Sequence, residues 1–402
     1  MTRLPLFAAA ALSFSASLAW SQATTMRDAA DAAGLNIGIA TNSFNVSNSA
    51  YATAAKGQFN LVVCENEMKF ESTESPLGSF KYSGGDAVST FAVANKMKMR
   101  GHNFIWHSQS TSASSAVKDR ASGLTVMRNH IEAVGEHFKT KIYEWDVLNE
   151  TYSGGTGSLW YKIGADYTDS ALSISRRVLG TSGYLYSNDY GADGVNSKST
   201  AILAIAKKWQ DNNVPLDGIG FQCHLNSPIN RADISKNIKR FGDLGLRVSL
   251  TEIDIKNATA ADWTALVGAC LENFNCVSFV TWGLSDANSW IGSNCGCLLY
   301  NGSPPTAKDA MIKAVLDALN GADPTISARR KAFTAIPPGS LGPKALNVLE
   351  RPLSRRGSEY IFGASPVRIF STPQGAAIDV MGRNRNLIPV SGNLPGVGIV
   401  PQ

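Results

Sequence analysis

The chain has 402 residues, 44% hydrophobic and 17% charged. It is too apolar for a disordered polymer and long enough for one large domain with an appendage. The net charge of +5 is uneven: residues 323–402 carry ten Lys/Arg against four Asp/Glu, leaving 27 basic and 28 acidic side chains before them. So neutral a body excludes the basic stripe that nucleic-acid binding requires, and no nucleic-acid partner is expected.

In chain order, Arg3 precedes an apolar run from Leu4 to Trp20 and then the small-residue stretch Ser21-Gln22-Ala23. This is the layout of a cleavable export signal over residues 1–23. The run is interrupted by Ser13, Ser15 and Ser17. No other segment approaches the ~20 apolar residues of a membrane span, so a secreted or surface-associated protein without a transmembrane segment is expected. Export permits disulfides. Of the six cysteines, Cys270 and Cys276 bracket a short turn and form the expected bridge. Spacing leaves the pairing of Cys64, Cys223, Cys295 and Cys297 open, and no paired C-x2-C zinc pattern occurs.

Eight short apolar runs follow: Leu35–Ala40, Leu61–Val63, Arg100–Trp106, Ile142–Leu148, Tyr184–Ser187, Gly218–Phe221, Arg247–Thr251 and Val277–Trp282. Helical periodicity lies between them. Val126, Ile131, Val134 and Phe138 share a face of 125–138, Ile202, Ile205 and Trp209 one of 200–212, and Met311, Val315 and Leu319 one of 307–319. Eight strand–helix alternations over roughly 300 residues predict a closed (β/α)8 barrel spanning 24–322. An open doubly wound sheet would bring G-x-G-x-x-G after its first strand, which is absent.

Polar residues gather where these strands end. Glu65, Asn66 and Lys69 follow the second, His102 and His107 flank the third, and Asn149-Glu150 close the fourth. Gln222 and His224 follow the sixth, Glu252 and Asp254 the seventh, and Trp282 the eighth. Barrel enzymes keep their chemistry on that rim. Metal hydrolysis would want histidines at ligand spacing and a serine nucleophile a G-x-S-x-G elbow; neither is present, and no metal or cofactor is expected. Two glutamates on separate strands amid Trp, Asn, Gln and His suit acetal hydrolysis, one carboxyl protonating the leaving oxygen and the other attacking the anomeric carbon.

The ordered segments Glu65-Asn66-Glu67-Met68-Lys69, Gly101 to Gln109, Trp145 to Glu150, Gly220 to His224 and Thr251 to Asp254, with Trp282 and Trp290, resemble the signatures of glycoside hydrolase family 10. The resemblance covers about residues 26–321 and implies a retaining endo-β-1,4-xylanase acting as a monomer on xylan or xylo-oligosaccharides. Carried over by position, Glu150 is the acid/base and Glu252 the nucleophile, with Asn149 on the sugar 2-OH and His224, oriented by Asp254, on the nucleophile. Gln222 would contact the sugar or the nucleophile. Glu65, Asn66, Lys69, His102 and Gln109 would line the glycone side, Trp106, Trp282 and Trp290 would be stacking walls, and Tyr190 would lie on the leaving-group side. Cys64, Phe70 and Cys223 depart from the family pattern, with Cys64 and Cys223 expected near the cleft. The alternatives are a β-1,4-glucanase or mixed-specificity glycosidase on the same barrel, and a non-catalytic glycan binder, which would be expected to lack one glutamate.

Residues 323–402 hold ten of the sixteen prolines and no Trp. The span 323–358 reads as a Pro/Arg/Ser-rich linker. Short strand-like runs at Glu359–Phe362, Val367–Phe370, Ala376–Val380, Leu387–Val390 and Val397–Val400 predict a small β domain over 359–402. It resembles the sorting or anchoring domains of some secreted bacterial enzymes, so the expected partner of the tail is a secretion or cell-surface system.

Overall fold

Strand runs with no polar alternation must be buried on both faces, and a parallel sheet wrapped in helices provides that. The computed structural model describes residues 22–340 together with the backbone of four tail strands. The strands β1 (Asn36–Thr41), β2 (Leu61–Cys64), β4 (Glu144–Asn149), β5 (Tyr184–Asp189) and β6 (Gly218–Phe221) are buried at every position. So is β9 (Cys276–Thr281), while β3 (Lys98–Trp106) and β8 (Arg247–Lys256) emerge only at an end. Parallel pairing runs from β1 to β6 in order, continues from β6 to β8 and β9, and returns to β1 with Asn36 opposite Ser278. The result is the expected closed (β/α)8 barrel. One extra strand, β7 (His224–Asn226), pairs only with β8, His224 opposite Asp254.

Helices sheathe the barrel with their apolar stripes inward. The longest, Arg120–Phe138, starts at a capping box between Asp119 and Ser122 and buries Val126, Ile131, Val134 and Phe138. Ser197–Asp211 has the same device at Asn196 and Ser199. Gly101 is required by a close approach: a Cβ there would overlap the Trp145 indole, itself stacked on Phe104 at 4.1 Å.

The strand-start end of the barrel holds charge rather than only aliphatic layers. Arg100 is fully buried and pairs through Nε with Glu144 and through Nη2 with Asp146, each at 2.6 Å. Arg247 donates to the Tyr143 and Tyr186 hydroxyls and lies 3.7 Å over the Tyr184 ring.

The first part of the predicted linker is not a linker. Pro324–Thr334 is a helix whose cap, Asp323, accepts from the Thr325 N–H at 2.7 Å, with proline in the first turn where its missing N–H is harmless. Arg330 on this helix is fully buried and donates to the carbonyls of Ala33, Cys270, Leu271, Asn273 and Cys276. The chain then passes under the barrel, where the Tyr184 hydroxyl donates to Ile336 O and the Gly339 N–H to Asp217.

In the tail, the backbones of β10 (Leu353–Arg356), β11 (Glu359–Phe362), β12 (Val367–Thr372) and β13 (Gly375–Val380) form a four-stranded antiparallel meander. β10 therefore also lies inside the span predicted as linker. Residues 1–21 of the predicted export signal, and the runs 387–390 and 397–400, lie outside the described residues. Among the described residues no helix is long and apolar enough to cross a membrane.

Candidate active site

The pleat of β4 points Asn149 inward, and Glu150 follows in a left-handed conformation, φ 54°. That turn swings the carboxylate over the barrel mouth while its N–H donates to Asn188 O at 2.7 Å. Glu150 Oε2 accepts from the Trp106 indole at 2.8 Å and Oε1 from the Gln222 amide at 3.1 Å. His107 Nε2 stands 3.8 Å from Oε2. Across the mouth Glu252, on β8, is almost fully buried. Its Oε1 accepts from Asn188 at 2.7 Å, and its Oε2 faces His224 Nε2 at 3.4 Å.

The two glutamates are joined by neutral amides. The Asn188 NH2 reaches both Glu252 Oε1 and Asn149 Oδ1, and the same Asn149 oxygen accepts from Gln222, whose NH2 also bonds Glu150. Asn188 is held from behind by the Thr251 hydroxyl at 2.6 Å. With its carbonyl occupied twice, Asn149 keeps its own NH2 for another acceptor.

His224 Nδ1 lies 2.9 Å from Asp254 Oδ2, an oxygen that also accepts from the Trp290 indole at 2.8 Å. Burial pulls the His224 pKa down, but the bonds to Asp254 and Glu252 and their charges overcome it and raise it to about 10. Burial pushes the Glu252 carboxyl up. The His224 hydrogen bond, the charges of His102 and His224 and the Asn188 amide outweigh that and hold it below its ordinary range. Glu252 is thereby kept ionised next to an imidazolium.

On the β2 and β3 side, Lys69 Nζ donates to Asn66 at 2.9 Å and lies 5.0 Å over the Trp106 ring. Burial lowers its pKa despite the carboxylates of Glu252, Glu65 and Glu150. Burial raises that of Glu65 against its bond to Asn42 and the charge of Lys69. His102 is buried with Nδ1 2.9 Å from Asp146, and Trp282 stands edge-on to it at 5.2 Å.

Most of the predicted set therefore meets at one mouth, with some changes of partner. Gln222 bonds Glu150 and not Glu252. Trp106, expected as a free stacking wall, gives its N–H to Glu150 and one face to Lys69. Gln109 is exposed and its side chain joins no part of this network, although its carbonyl accepts from the Glu71 N–H. Tyr190 is also exposed, with Lys198 Nζ 3.8 Å over its ring. Asn188 and His107 join the site without a role expected for them from sequence. Asn188 had a signal: Tyr184, Tyr186 and Asn188 share the period-two face of β5 that points into the barrel.

Cys270–Cys276 is bridged as expected, and Cys295–Cys297 forms a second bridge. Cys64 and Cys223 are buried free thiols whose pKa values burial raises, so no bridge alters the cleft. Asp286, Cys295 and Cys297 cluster, but the sulfurs are bonded to each other and Asp286 is engaged by Lys308 and by the N–H groups of Cys297 and Leu298. That donor set does not suit a metal ion.

Comparison with known proteins places this geometry. The family model described as glycosyl hydrolase family 10 matches residues 25–318. The chain is 34% identical over 284 residues to endo-1,4-beta-xylanase B of Neocallimastix patriciarum, covering 67% of this chain but only 33% of that protein. It is 31% identical over 290 residues to endo-1,4-beta-xylanase C of Phanerodontia chrysosporium, covering 67% of this chain and 72% of that one. Among solved structures, native xylanase 10B from Thermotoga maritima superposes with a TM-score of 0.69 at 27% identity, over 74% of this chain and 98% of that one. A glycosylated endo-beta-1,4-xylanase from Gloeophyllum trabeum does so at 0.67 and 32% identity, over 74% and 99%.

Proposed function

The chain belongs to glycosyl hydrolase family 10, and on that premise we propose that it is a secreted retaining endo-β-1,4-xylanase that cuts internal bonds of xylan by double displacement. The observation that carries the reading is the pair of glutamates at one barrel mouth, bridged by amides and unequally supported. Glu252 sits against an imidazolium and an amide that favour its ionised form, and Glu150 sits among neutral N–H donors at the more open edge.

In this reading Glu252 attacks the anomeric carbon while Glu150 delivers a proton to the departing oxygen. Water then enters on the vacated side. Glu150 takes its proton, and the water oxygen displaces Glu252 from the anomeric carbon with net retention. Asn149 is the donor toward the sugar 2-OH, its NH2 being the end left over by Asn188 and Gln222. Asn66 and Lys69 hold hydroxyls on the glycone side, with Glu65 accepting. Trp282 and Trp290 supply apolar walls, and Tyr190 stands toward the leaving group. His224 and Asp254 act through Glu252 rather than on the sugar. The leader and the basic, strand-forming tail fit export followed by retention at a surface.

Proton NMR of xylohexaose digestion, followed from the first minutes, tests the reading. β-Anomeric reducing ends appearing first, on oligomers made by internal cuts, are expected. α-Anomers first, or release of single xylose units only, would contradict it.

A further inference from the structure

Large apolar side chains left in water are unremarkable singly, but their placement here is not random. Among the described residues six stand exposed: Phe44, Val93, Tyr152, Tyr161, Tyr190 and Trp290. The five aromatic ones all follow strand ends at the mouth of the barrel. Phe44 comes after β1, Tyr152 and Tyr161 after β4, Tyr190 after β5 and Trp290 after β9; only Val93 lies on a sheathing helix.

Phe44 is the most exposed of them, at 81%, and the cleft described so far gives it no task. Its mounting is rigid. It sits in the short helix Ser43–Ser47, whose cap Asn42 accepts from the Asn45 N–H at 2.8 Å. The Ser43 N–H donates to Glu67 Oε1 at 2.7 Å, which ties the helix to the Glu65–Lys69 segment. Asn42 acts on the Glu65 carboxyl, on the glycone side, and the Glu65 N–H donates to Thr41 O, one residue before the cap, at 2.8 Å. Two residues of chain reach at most ~7 Å, so the Phe44 backbone lies within that distance of Asn42, beside the Glu65–Lys69 segment.

We propose that Phe44 is the platform of an additional, outer glycone subsite, beyond the sugars held by Glu65, Asn66 and Lys69, which stacks on the apolar face of a xylose unit in a longer chain. The ligand chemistry follows from the site. A flat, uncharged ring on a fixed helix suits a neutral pyranose face, and an exposed ring already held in place loses little entropy on binding. The subsite makes the protein prefer long substrates and biases where it cuts them. This rests on the xylanase reading above.

The test compares Phe44→Ala and Phe44→Trp with the parent protein on xylohexaose and on an aryl β-xylobioside, which is too short to reach Phe44. Phe44→Ala is expected to lower kcat/KM on xylohexaose about three- to tenfold, to shift its cleavage position, and to leave the aryl xylobioside unchanged. Phe44→Trp should restore both xylohexaose readouts. Equal rates on both substrates for Phe44→Ala and parent, or an equal loss on both, would overturn the subsite. A parent protein that cuts neither substrate would instead overturn the xylanase reading, so the two failures are distinguishable.

Discussion

The two ends of the barrel both bury carboxylates, and they treat them differently. At the strand starts Glu144 and Asp146 are clamped by the fully buried Arg100. At the strand ends no arginine among the described residues touches Glu150 or Glu252; their partners are amides, an indole and histidines. A guanidinium fixes charge permanently, because it does not give up its proton. Amides and an imidazole orient a carboxylate while leaving it free to gain a proton or form a bond. On the proposed reading, the difference separates charges that hold the barrel together from charges that react.

The same chemical change at each end gives the sharpest contrast. Glu252→Gln should lower kcat/KM on xylan by roughly four orders of magnitude or more, since an amide cannot form the glycosyl ester. Glu144→Gln breaks a buried ion pair and should cost about 3–5 kcal/mol of stability, with kcat/KM of the folded protein within a few-fold of the parent. Denaturant unfolding alongside initial rates measures both. A stable but inactive Glu144→Gln would erase the distinction.

Arg330 extends the structural end into the chain beyond residue 318. Five carbonyls share its guanidinium and no carboxylate among the described residues pairs with it, so Arg330→Met leaves buried acceptors without a donor. A loss of about 3 kcal/mol is expected, seen as a Tm lower by roughly 5 °C with unchanged kcat/KM. A Tm within a degree of the parent would mean that the helix Pro324–Thr334 adds nothing to the barrel.

The strand-end side also carries a pH dependence. The His224 pKa is raised to about 10 from an unfolded value of ~6.5. The stability it contributes is therefore fully present below ~6.5 and is lost as the pH climbs through about 10. Glu252 has the opposite sign: held low, it contributes above its unfolded value and loses this as the pH falls through its folded one. The stability gap between the parent and His224→Gln should be widest near pH 6 and shrink by a few kcal/mol toward pH 10. A gap independent of pH would show that His224 is not held protonated by its two carboxylates.

The sequence made the barrel readable because short apolar-rich runs alternate with helical periodicity, and every run overlaps a stave. Most of the mouth was readable for a related reason: strand ends converge, so Glu150, Gln222, His224 and Glu252 had to meet. Partner choice was not. Which oxygen Gln222 serves, or that Asn188 bridges the glutamates, depends on side-chain reach across the barrel, which no local pattern encodes. The helix Pro324–Thr334 was misread for a local reason. Proline suggested linker, yet Asp323-Pro324 is also a helix start, and only the burial of Arg330 and Phe333 decides between them.

The central claim is the division of labour between Glu150 and Glu252, and azide rescue tests it most directly. With an aryl β-xylobioside that has a good leaving group, Glu252→Ala should be rescued by azide entering its vacated side, giving the α-xylobiosyl azide. Glu150→Ala should still form the glycosyl ester and give the β-azide. The two opposite anomers, each from its own variant, are the predicted result. The same anomer from both variants, or the reverse assignment, would contradict it.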